Sequence, residues 1–289
     1  MKINIMAAGG QLGRKVVDAF LECGIDPQDL IASVRTPAKV NDLARVGIDI
    51  RRTDYDDPPS LKYSFRNSDV VVLITSTAMI EERKAQFDNA FEAACSCRVE
   101  RLIFTSITAT GSDSLFSLAP FYTYAEEKLQ GSDLGWTILR DGIYLDPVAE
   151  WVPDLVKMGR LPYPVKKGRV AYISRDDIAR AIVYASVSRR HAGQIYDLTG
   201  SEAVSMPQLA EMISSVTGKS VLFESVSEEE FAEICRADDI PESLIEVLIS
   251  MYRAVDNGEF ENVTDHVELL TGKPPESVEG YLRRMVGGG

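Results

Sequence analysis

The sequence is poor in the residues and segments on which metal-binding and membrane proteins depend. Its 289 residues include two histidines, His191 and His266, so a histidine-based metal site is not expected. No apolar run approaches the roughly 18 residues that a transmembrane helix needs. The chain begins with a strand-like segment carrying a single Lys rather than with a signal peptide, and we therefore expect a cytoplasmic protein without membrane contact.

Cysteine and basic charge are also scarce. The net charge is −13, and residues 224–261 hold 12 acidic side chains against Arg236 and Arg253. A nucleic-acid partner is not expected, because such proteins need a basic surface. The acidic stretch predicts a solvated face, with a basic protein partner as the alternative. No CxxC pair is present, and we expect four buried, reduced thiols: Cys23, Cys95, Cys97 and Cys235.

What the sequence does have is a nucleotide-binding pattern near its beginning. Residues 2–6 form an apolar run suited to a buried strand, residues 7–13 form a glycine-containing turn, and residues 14–22 have helical spacing. A second apolar run, residues 30–34, ends at Arg35. This order predicts a βαβ unit in which the turn and the helix N-terminus bind a diphosphate. The alternative is a tight turn that binds nothing.

The turn departs from the usual glycine spacing at one position. Ala7 stands at the first of three glycine positions, Gly10 and Gly13 occupy the others, and Gly9 is additional. If the backbone of Ala7 must adopt positive φ, its Cβ costs about 1 kcal/mol, and Gly9 is expected to take over part of the role. We expect the cofactor to contact six consecutive residues: Ala8, Gly9, Gly10, Gln11, Leu12 and Gly13.

Apolar strands continue to alternate with amphipathic helices as far as residue 140. This alternation predicts an α/β protein, a Rossmann doubly wound parallel sheet with right-handed crossovers. Beyond residue 146 the pattern loosens. We expect an NAD(P)-binding Rossmann domain over residues 1–146 and a smaller mixed α/β substrate-side lobe over residues 147–289. The sequence leaves open whether the short strands near residues 170–173 and 194–198 belong to the Rossmann domain or to the C-terminal lobe.

The strongest catalytic candidates are Tyr124 and Lys128, which share a helix face because they are four residues apart. A phenol has a pKa near 10 that must fall by about 3 for acid catalysis near neutral pH, and a close ammonium lowers it. Lys128 is also expected to hydrogen-bond the cofactor ribose. Ser106 follows the fifth predicted strand and is the candidate that polarises a carbonyl oxygen. The alternative is a chance pair on a helix.

Other candidates lie where predicted strands end. Arg35 suits the 2′-phosphate of NADP rather than the 2′-hydroxyl of NAD, Lys39 adds charge, and we expect NADP(H) to be preferred over NAD(H). Asp54, Thr75, Ser76 and Tyr144 are the further residues expected at the cofactor. An aromatic substrate pocket is a hypothesis for four residues that otherwise belong to the core: Phe121, Tyr122, Tyr144 and Tyr163.

Six stretches carry a family likeness: residues 10–13, 32–39, 54–57, 105–107, 136–144 and 175–180. In these stretches the chain resembles the NmrA-like, atypical branch of the short-chain dehydrogenase/reductases, and within it the type 2 NADPH:quinone oxidoreductases. The resemblance implies a Rossmann domain, NADP preference through Arg35 and a cleft between lobes. Family members commonly have Thr-Gly-Ala-Thr-Gly at the turn, whereas this chain has Met-Ala-Ala-Gly-Gly at residues 6–10. Many family members also lack the catalytic tyrosine.

The favoured function is an NAD(P)H-dependent oxidoreductase that reduces a quinone or another ring or conjugated carbonyl compound by hydride transfer. One alternative is a non-catalytic NADP(H)-binding redox sensor that docks a protein partner, a role that the family also contains. A third is an epimerase of nucleotide sugars, although no site for a second diphosphate is evident. A small-molecule substrate is expected in the first case, and a homodimer is compatible with all three.

Overall fold

The computed structural model describes residues 1–286 of the chain. Within this range we number the strands and helices in chain order. The strands are β1 (Ile3–Met6), β2 (Leu30–Val34), β3 (Asp49–Arg52), β4 (Val70–Leu73), β5 (Arg101–Ile107), β6 (Gly135–Asp141), β7 (Arg160–Tyr163), β8 (Arg169–Val170), β9 (Gln194–Leu198), β10 (Val204–Ser205) and β11 (Leu222–Ser225). The helices are α1 (Gln11–Glu22), α2 (Asn41–Arg45), α3 (Pro58–Phe65), α4 (Ile80–Ser96), α5 (Ala119–Gln130), α6 (Asp146–Met158), α7 (Arg175–Val187), α8 (Met206–Thr217), α9 (Glu228–Ala237), α10 (Glu242–Asp256), α11 (His266–Thr271) and α12 (Val278–Val286).

Seven strands form one sheet in the order β3-β2-β1-β4-β5-β6-β9. The strands from β3 to β5 pair in parallel, and β1, β2 and β4 are buried at every residue. Burial of whole strands matches their continuous apolar runs and indicates cover on both faces. The strand order reverses at β1, and ligands bind at the carboxyl ends of the strands at such a point. The predicted Rossmann α/β fold is confirmed.

The first helix begins earlier than its apolar spacing predicts. The spacing indicates a start at residue 14, whereas α1 begins at Gln11, so the last residues of the turn form its first turn. Val16, Val17 and Phe20 are buried on the predicted face. Helix α1 packs against α7, and the Nζ atom of Lys15 lies 2.5 Å from Oδ1 of Asp176.

The chain divides into two compact units. The first comprises Met1–Ser106, Phe121–Arg140 and Arg175–Tyr196, and the second comprises Ile107–Pro120, Asp141–Ser174 and the chain from Asp197 onward. In the second unit β7 pairs with β11 in parallel and β8 pairs with β10 in antiparallel. Each unit takes chain from both sides of residue 146, and the domain limits of the sequence analysis stay a prediction.

Two local expectations need correction in the second unit. The strand expected over residues 170–173 is shorter, because β8 ends at Val170 and Ile173 forms only an isolated bridge with Tyr144. The loosened region after residue 146 contains α6, with Pro147 in its first turn and Pro153 inside it. A proline is tolerated in the first turn, where the N–H has no helical partner, whereas Pro153 removes one hydrogen bond of the helix.

The cysteines are less buried than expected. All four are free thiols; Cys23 and Cys95 are exposed, Cys97 is half-buried and Cys235 is buried. The expectation of burial is therefore wrong for Cys23 and Cys95. Cys23 caps the C-terminus of α1 and Cys95 lies in the last turn of α4, outside the apolar faces of these helices.

The close approach of α1 to the preceding turn predicts a stability effect at Gly13. A Cβ atom there would lie 2.1 Å from the carbonyl oxygen of Ala7, so backbone would have to move. We expect Gly13→Ala to lower the free energy of unfolding, measured by urea denaturation, by about 1–3 kcal/mol. Gly9→Ala is the control, because its Cβ would meet side chains of Val34 and Val40 at 3.6 and 3.5 Å. Equal losses in both variants would contradict the explanation.

Candidate functional site

The turn between β1 and α1 presents bare backbone at the point where the strand order reverses. Gly10 is the N-cap of α1, with extended backbone at φ −84° and ψ 172°, and it offers no side-chain hydrogen bond. The first turn of the helix contains no acidic residue. Gly9, Gly10 and Gln11 are exposed, whereas Leu12 and Gly13 are buried. A helix N-terminus without a capping side chain or an acid is suited to an anion.

Not every backbone donor of the turn remains available to an anion. The N–H of Ala8 donates to the carbonyl of Ser33 at 3.2 Å, and the N–H of Gly10 donates to Ala7 at 2.8 Å. Ala7 itself has φ 52°, so an alanine occupies the left-handed region that favours glycine. The expectation that Gly9 takes over this role is not met, because Gly9 is not among the positive-φ glycines. First-turn N–H groups have no helical partner, and those of Gln11, Leu12 and Gly13 are the donors suited to a diphosphate.

Three cations lie near the carboxyl end of β2. Arg35 and Lys39 are exposed, and no ion pair recorded for residues 1–286 includes either. Arg52, which sequence reasoning missed, is the register partner of Val34 on β3 and lies 3.9 Å from the carboxylate of Asp57. The parallel pairing places Arg52 beside the strand end that carries Arg35. The sequence alone does not show that Arg52 lies beside Val34, because this follows from the pairing of β2 with β3.

The predicted catalytic pair is held by an acidic partner on α4. The hydroxyl of Tyr124 donates to Asp88 at 2.8 Å, and Nζ of Lys128 lies 2.6 Å from the same carboxylate oxygen. Tyr124 and Lys128 therefore share a helix face, as predicted. Burial, followed by the hydrogen bond to Asp88, raises the pKa of Tyr124, although Lys128 acts in the opposite sense. The expected lowering of the Tyr124 pKa is wrong, because burial and the hydrogen bond to Asp88 both favour the protonated phenol.

Ser106 belongs to a different network. Its hydroxyl donates to Oε1 of the buried Glu126 at 2.5 Å, and the guanidinium of Arg140 binds both carboxylate oxygens of Glu126. This network joins the end of β5 to α5 and to β6. The structure thus does not show Ser106 bonded to Tyr124 or Lys128, and the catalytic roles of all three residues stay predictions.

A small cavity lies at the carboxyl end of β4. Its volume is about 200 Å³ when the space open to solvent is included. Thr75 and Ser76, both predicted site residues, line it. The other lining residues are Tyr55, Leu73, Arg83, Gln86, Phe87 and Phe121. Asp54 is not among them; its carboxylate accepts from the N–H of Asp56 at 3.2 Å in the loop after β3.

Arg83 and Tyr122 are polar residues of this region that sequence reasoning missed or assigned to packing. Nη1 of Arg83 donates to the hydroxyl of Tyr122 at 3.0 Å, and that hydroxyl lies 3.5 Å from Oγ1 of Thr75. Tyr122, rather than Tyr124, is thus the α5 tyrosine whose hydroxyl reaches the end of β4. The available signal was the helical spacing of Arg83 with Phe87 and Ala90, which puts a cation on the apolar face of α4.

Tyr144 and Tyr163 lie in the second unit. The hydroxyl of Tyr144 donates to Oδ2 of Asp141 at 2.8 Å. Asp141 follows the buried part of β6 and is only 3% exposed; burial raises its pKa to about 8, although the Tyr144 hydrogen bond acts in the opposite sense. Tyr163 packs in a buried aromatic cluster with Phe231 and Tyr252, which supports its assignment to the core.

Two further observations bear on site chemistry. Among the described residues no cluster of three or more His, Cys, Asp or Glu side chains is arranged to hold a metal ion. No helix in the same range is both long and apolar enough to cross a membrane.

Comparison with known proteins adds to this geometry. A family model described as NAD(P)H-binding matches residues 7–188. Quinone oxidoreductase 2 of Escherichia coli is 28% identical over 272 residues, covering 94% of each chain. NAD(P)H azoreductase of Xenophilus azovorans is 23% identical over 97% of this chain and 96% of its own.

Two solved structures resemble the chain over nearly its whole length. A protein from Staphylococcus aureus described as a nucleoside-diphosphate-sugar epimerase is 30% identical, with a TM-score of 0.92 over 98% of this chain and 100% of its own. The quinone oxidoreductase of Escherichia coli in complex with NADPH is 27% identical, with a TM-score of 0.91 over 98% and 99% of the two chains.

The contact of Tyr124 with Asp88 predicts the effect of removing that charge. Asp88→Asn should lower the pKa of Tyr124, because the neutral amide no longer favours the protonated phenol. Phenolate absorbance during an alkaline titration measures the shift, and subtraction of the Tyr124→Phe titration isolates this tyrosine. An unchanged difference curve in Asp88→Asn would argue against control by Asp88.

Asp141 predicts a pH dependence of stability. Its folded pKa of about 8 lies above the ordinary value of 3.8, so the unfolded chain releases the proton first as pH rises. The free energy of unfolding should therefore fall by about 1.4 kcal/mol per pH unit between about pH 4 and pH 8 through this group. Urea denaturation at pH 5 and pH 7.5 tests this, since Asp141→Asn should gain stability relative to the wild type at the higher pH. A stability difference that is the same at both pH values would contradict the assignment.

Proposed function

The chain belongs to the NAD(P)H-binding family, of the NmrA-like kind, and from this membership we propose that it is an NADPH-dependent reductase of quinones or related ring carbonyl compounds. The resemblance stated from the sequence is confirmed. The relatives from Escherichia coli and Xenophilus azovorans are named as a quinone oxidoreductase and an azoreductase. The observation that carries the proposal is the uncapped N-terminus of α1 after a bare turn, at the point where the strand order reverses.

The turn supports the proposed binding of the cofactor diphosphate by main-chain groups. The backbone of residues 8–13 would surround the diphosphate, with donors from Gln11, Leu12 and Gly13, and the helix N-terminus would stabilise its negative charge. Ala7 adopts the left-handed backbone conformation at φ 52°, so the turn forms with an alanine at this position. Asp54, Lys128 and Tyr144 keep their predicted cofactor contacts as part of the proposal.

The preference for NADP(H) rests on positive charge at the end of β2. Arg35 and Lys39 are exposed there, and neither has an acidic partner in the described part of the chain. Arg52 adds a third cation beside Val34. The 2′-phosphate of NADP would bind these cations. The 2′-hydroxyl of NAD is ordinarily bound by an Asp or Glu at the end of the second strand, and this chain has Arg35 at that position.

The proposed reaction needs a hydride, a proton and a flat acceptor. The reduced nicotinamide supplies the hydride, and reduction of a quinone to its hydroquinone takes up two electrons and two protons in total. Thr75 and Ser76 at the end of β4 are suited to lie beside the nicotinamide. Tyr124 remains the predicted proton donor with Lys128 and Ser106, but its hydroxyl must leave Asp88 to act, whereas Tyr122 already reaches Thr75.

A second candidate function is a dinucleotide-binding regulator without turnover. The observation that favours it is the engagement of both Tyr124 and Lys128 by Asp88. Epimerisation of nucleotide sugars remains a third alternative. NADPH binding without oxidation by any quinone, together with NADPH-dependent binding of one protein, would favour the regulator over the reductase.

Arg35 provides the test of cofactor preference. Arg35→Ala should weaken NADPH binding by about 10- to 100-fold, because a charge-assisted contact with the 2′-phosphate is lost, and should leave NADH binding nearly unchanged. Titration calorimetry with both cofactors measures this. Arg45→Ala, which removes an exposed arginine at the end of α2, is the matched control. Equal weakening of NADPH and NADH in Arg35→Ala would reject reading of the phosphate by Arg35.

Turnover with substituted tyrosines tests the proposed reaction. The wild type should oxidise NADPH in the presence of benzoquinones and naphthoquinones, and Tyr124→Phe should lower kcat by 100-fold or more if its hydroxyl supplies the proton. Tyr122→Phe is the paired variant on the other face of α5. Full activity in Tyr124→Phe would show that this tyrosine is not the proton donor. Absence of NADPH oxidation by the wild type would contradict the proposed reductase function.

A further inference from the structure

Asp141 is a buried acid that has a phenol, rather than a cation, as its partner. It is the last residue of β6 and is only 3% exposed. The hydroxyl of Tyr144, 2.8 Å from Oδ2, is the one side-chain hydrogen bond recorded for this carboxyl among residues 1–286. Its Oδ1 atom is buried and has no hydrogen-bond partner in the same range. A carboxyl group in such surroundings favours its neutral form, because burial disfavours the charge.

Backbone hydrogen bonds hold this pair from both sides. The N–H of Thr108 donates to the carbonyl of Asp141 at 3.1 Å. Tyr144 forms a bridge with Ile173, whose carbonyl accepts from the N–H of Leu145 at 2.9 Å. The acid and the phenol are therefore fixed in contact before any ligand arrives, as a preorganised donor requires.

The protonation state of Asp141 decides in which direction the contact runs. A carboxylate only accepts, so Tyr144 must donate to it. A protonated carboxyl group has an O–H of its own, and two O–H groups then share one contact. If Tyr144 kept donating, the acid proton would remain on Oδ1, a buried atom without an acceptor. When Asp141 donates instead, the proton of Tyr144 is directed at an acceptor outside the pair.

Tyr144 lies where a ligand oxygen is expected. It is half-buried, whereas Asp141 is fully buried at the carboxyl end of β6, a strand of the seven-stranded sheet. Ligands bind at the carboxyl ends of strands in folds of this kind. The sequence assigned the task of polarising a carbonyl oxygen to Ser106, but that hydroxyl donates to the buried Glu126. A donor for the carbonyl oxygen is therefore still needed.

From this geometry we propose that Tyr144 donates a hydrogen bond to the carbonyl oxygen of the substrate, and that Asp141 positions its hydroxyl. Negative charge develops on this oxygen when hydride reaches the ring, and a donor already in place stabilises it. The inference rests on the proposed reductase function and names a group that binds its substrate. It concerns the hydroxyl alone, and the predicted cofactor contact of Tyr144 stands beside it.

The contact gives carbonyl binding a pH dependence of defined sign. Burial raises the pKa of Asp141 to about 8, although Tyr144 acts in the opposite sense, and no charged side chain of the described residues is recorded as a further cause. The adjacent Arg140 binds Glu126. Below about pH 8 the acid is neutral and the Tyr144 hydroxyl serves the substrate. Above it the carboxylate binds this hydroxyl, and carbonyl binding weakens. Burial raises the pKa of Tyr124 above 10, so that phenol does not titrate in this range.

Binding is tested first, without turnover. Duroquinone is the probe, because its fully methylated ring leaves no position to which the exposed thiols of Cys23 and Cys95 could add. Quenching of tryptophan fluorescence measures its affinity in the presence of NADP, which cannot reduce it. The wild type should bind it about threefold more weakly at pH 9 than at pH 6.5, as expected for loss of one hydrogen bond. Tyr144→Phe should bind it equally weakly at both pH values.

Asp141→Asn distinguishes positioning from a merely structural role. Its amide N–H donates to the Tyr144 oxygen at every pH, so the variant should keep at pH 9 the affinity that the wild type has at pH 6.5. Tyr172→Phe is the matched control. It removes a buried hydroxyl of the same unit, bonded to Met206, and should retain the pH dependence of the wild type.

Two results would overturn the proposal on binding alone. One is wild-type affinity for duroquinone that is the same at both pH values, and the other is unchanged affinity in Tyr144→Phe. If Tyr144→Phe does not fold, the titrations of the wild type and Asp141→Asn decide.

NADPH oxidation with the same quinone distinguishes failure of this proposal from failure of the proposed function. In the wild type kcat should be about tenfold lower at pH 9 than at pH 6.5, because about a tenth of Asp141 stays protonated one unit above its pKa. Tyr144→Phe should lower kcat at pH 6.5 by about 100-fold. Binding with the expected pH dependence but without NADPH oxidation would reject the reductase and leave Tyr144 as a carbonyl-binding residue. Full activity of Tyr144→Phe would retain the reductase and reject this role of Tyr144, and absence of both binding and turnover would reject both.

Discussion

The structure depends most on the close approach of α1 to the end of β1. Gly13 allows it, because a side chain at this position would collide with the carbonyl of Ala7. The same approach holds Ala7 in the left-handed region, at φ 52°. The result is a helix whose first N–H groups face the open end of the sheet without a capping side chain. An anion site and a tightly packed βαβ unit therefore have one steric cause.

Buried polar groups of the first unit are paired almost throughout, and this makes the exceptions informative. Glu126 is bound by Ser106 and Arg140, and the buried Arg101 donates to the carbonyls of Ser186 and Ser188 at 2.5 Å each. Oε1 of Gln86, a residue that lines the cavity at the end of β4, is buried without a hydrogen-bond partner. Unsatisfied groups are costly inside a protein, and the small cavity beside Gln86 has room for a water molecule that would supply the missing donor.

Tyr124 and Lys128 show where local reasoning about a site ends. Their spacing correctly places both on one face of α5, since four residues make about one helical turn. The spacing does not say which neighbouring element meets that face. Helix α4 brings Asp88 there, and burial together with this carboxylate raises the pKa of Tyr124, which the ammonium alone would lower. A catalytic interpretation of two residues thus depended on a third from elsewhere in the chain.

The sequence by itself determined the elements and their class, because apolar periodicity is local: buried runs gave β1, β2 and β4, and helical spacing gave the buried face of α1. It also located the turn at residues 7–13 and the cation Arg35 after β2. Tertiary structure alone decided the register of Arg52 beside Val34, the pairing of Tyr122 with Arg83, and the inclusion of α7 in the first unit. These features join residues far apart in the chain, and their charges and hydrogen bonds are set by neighbours that no local pattern specifies.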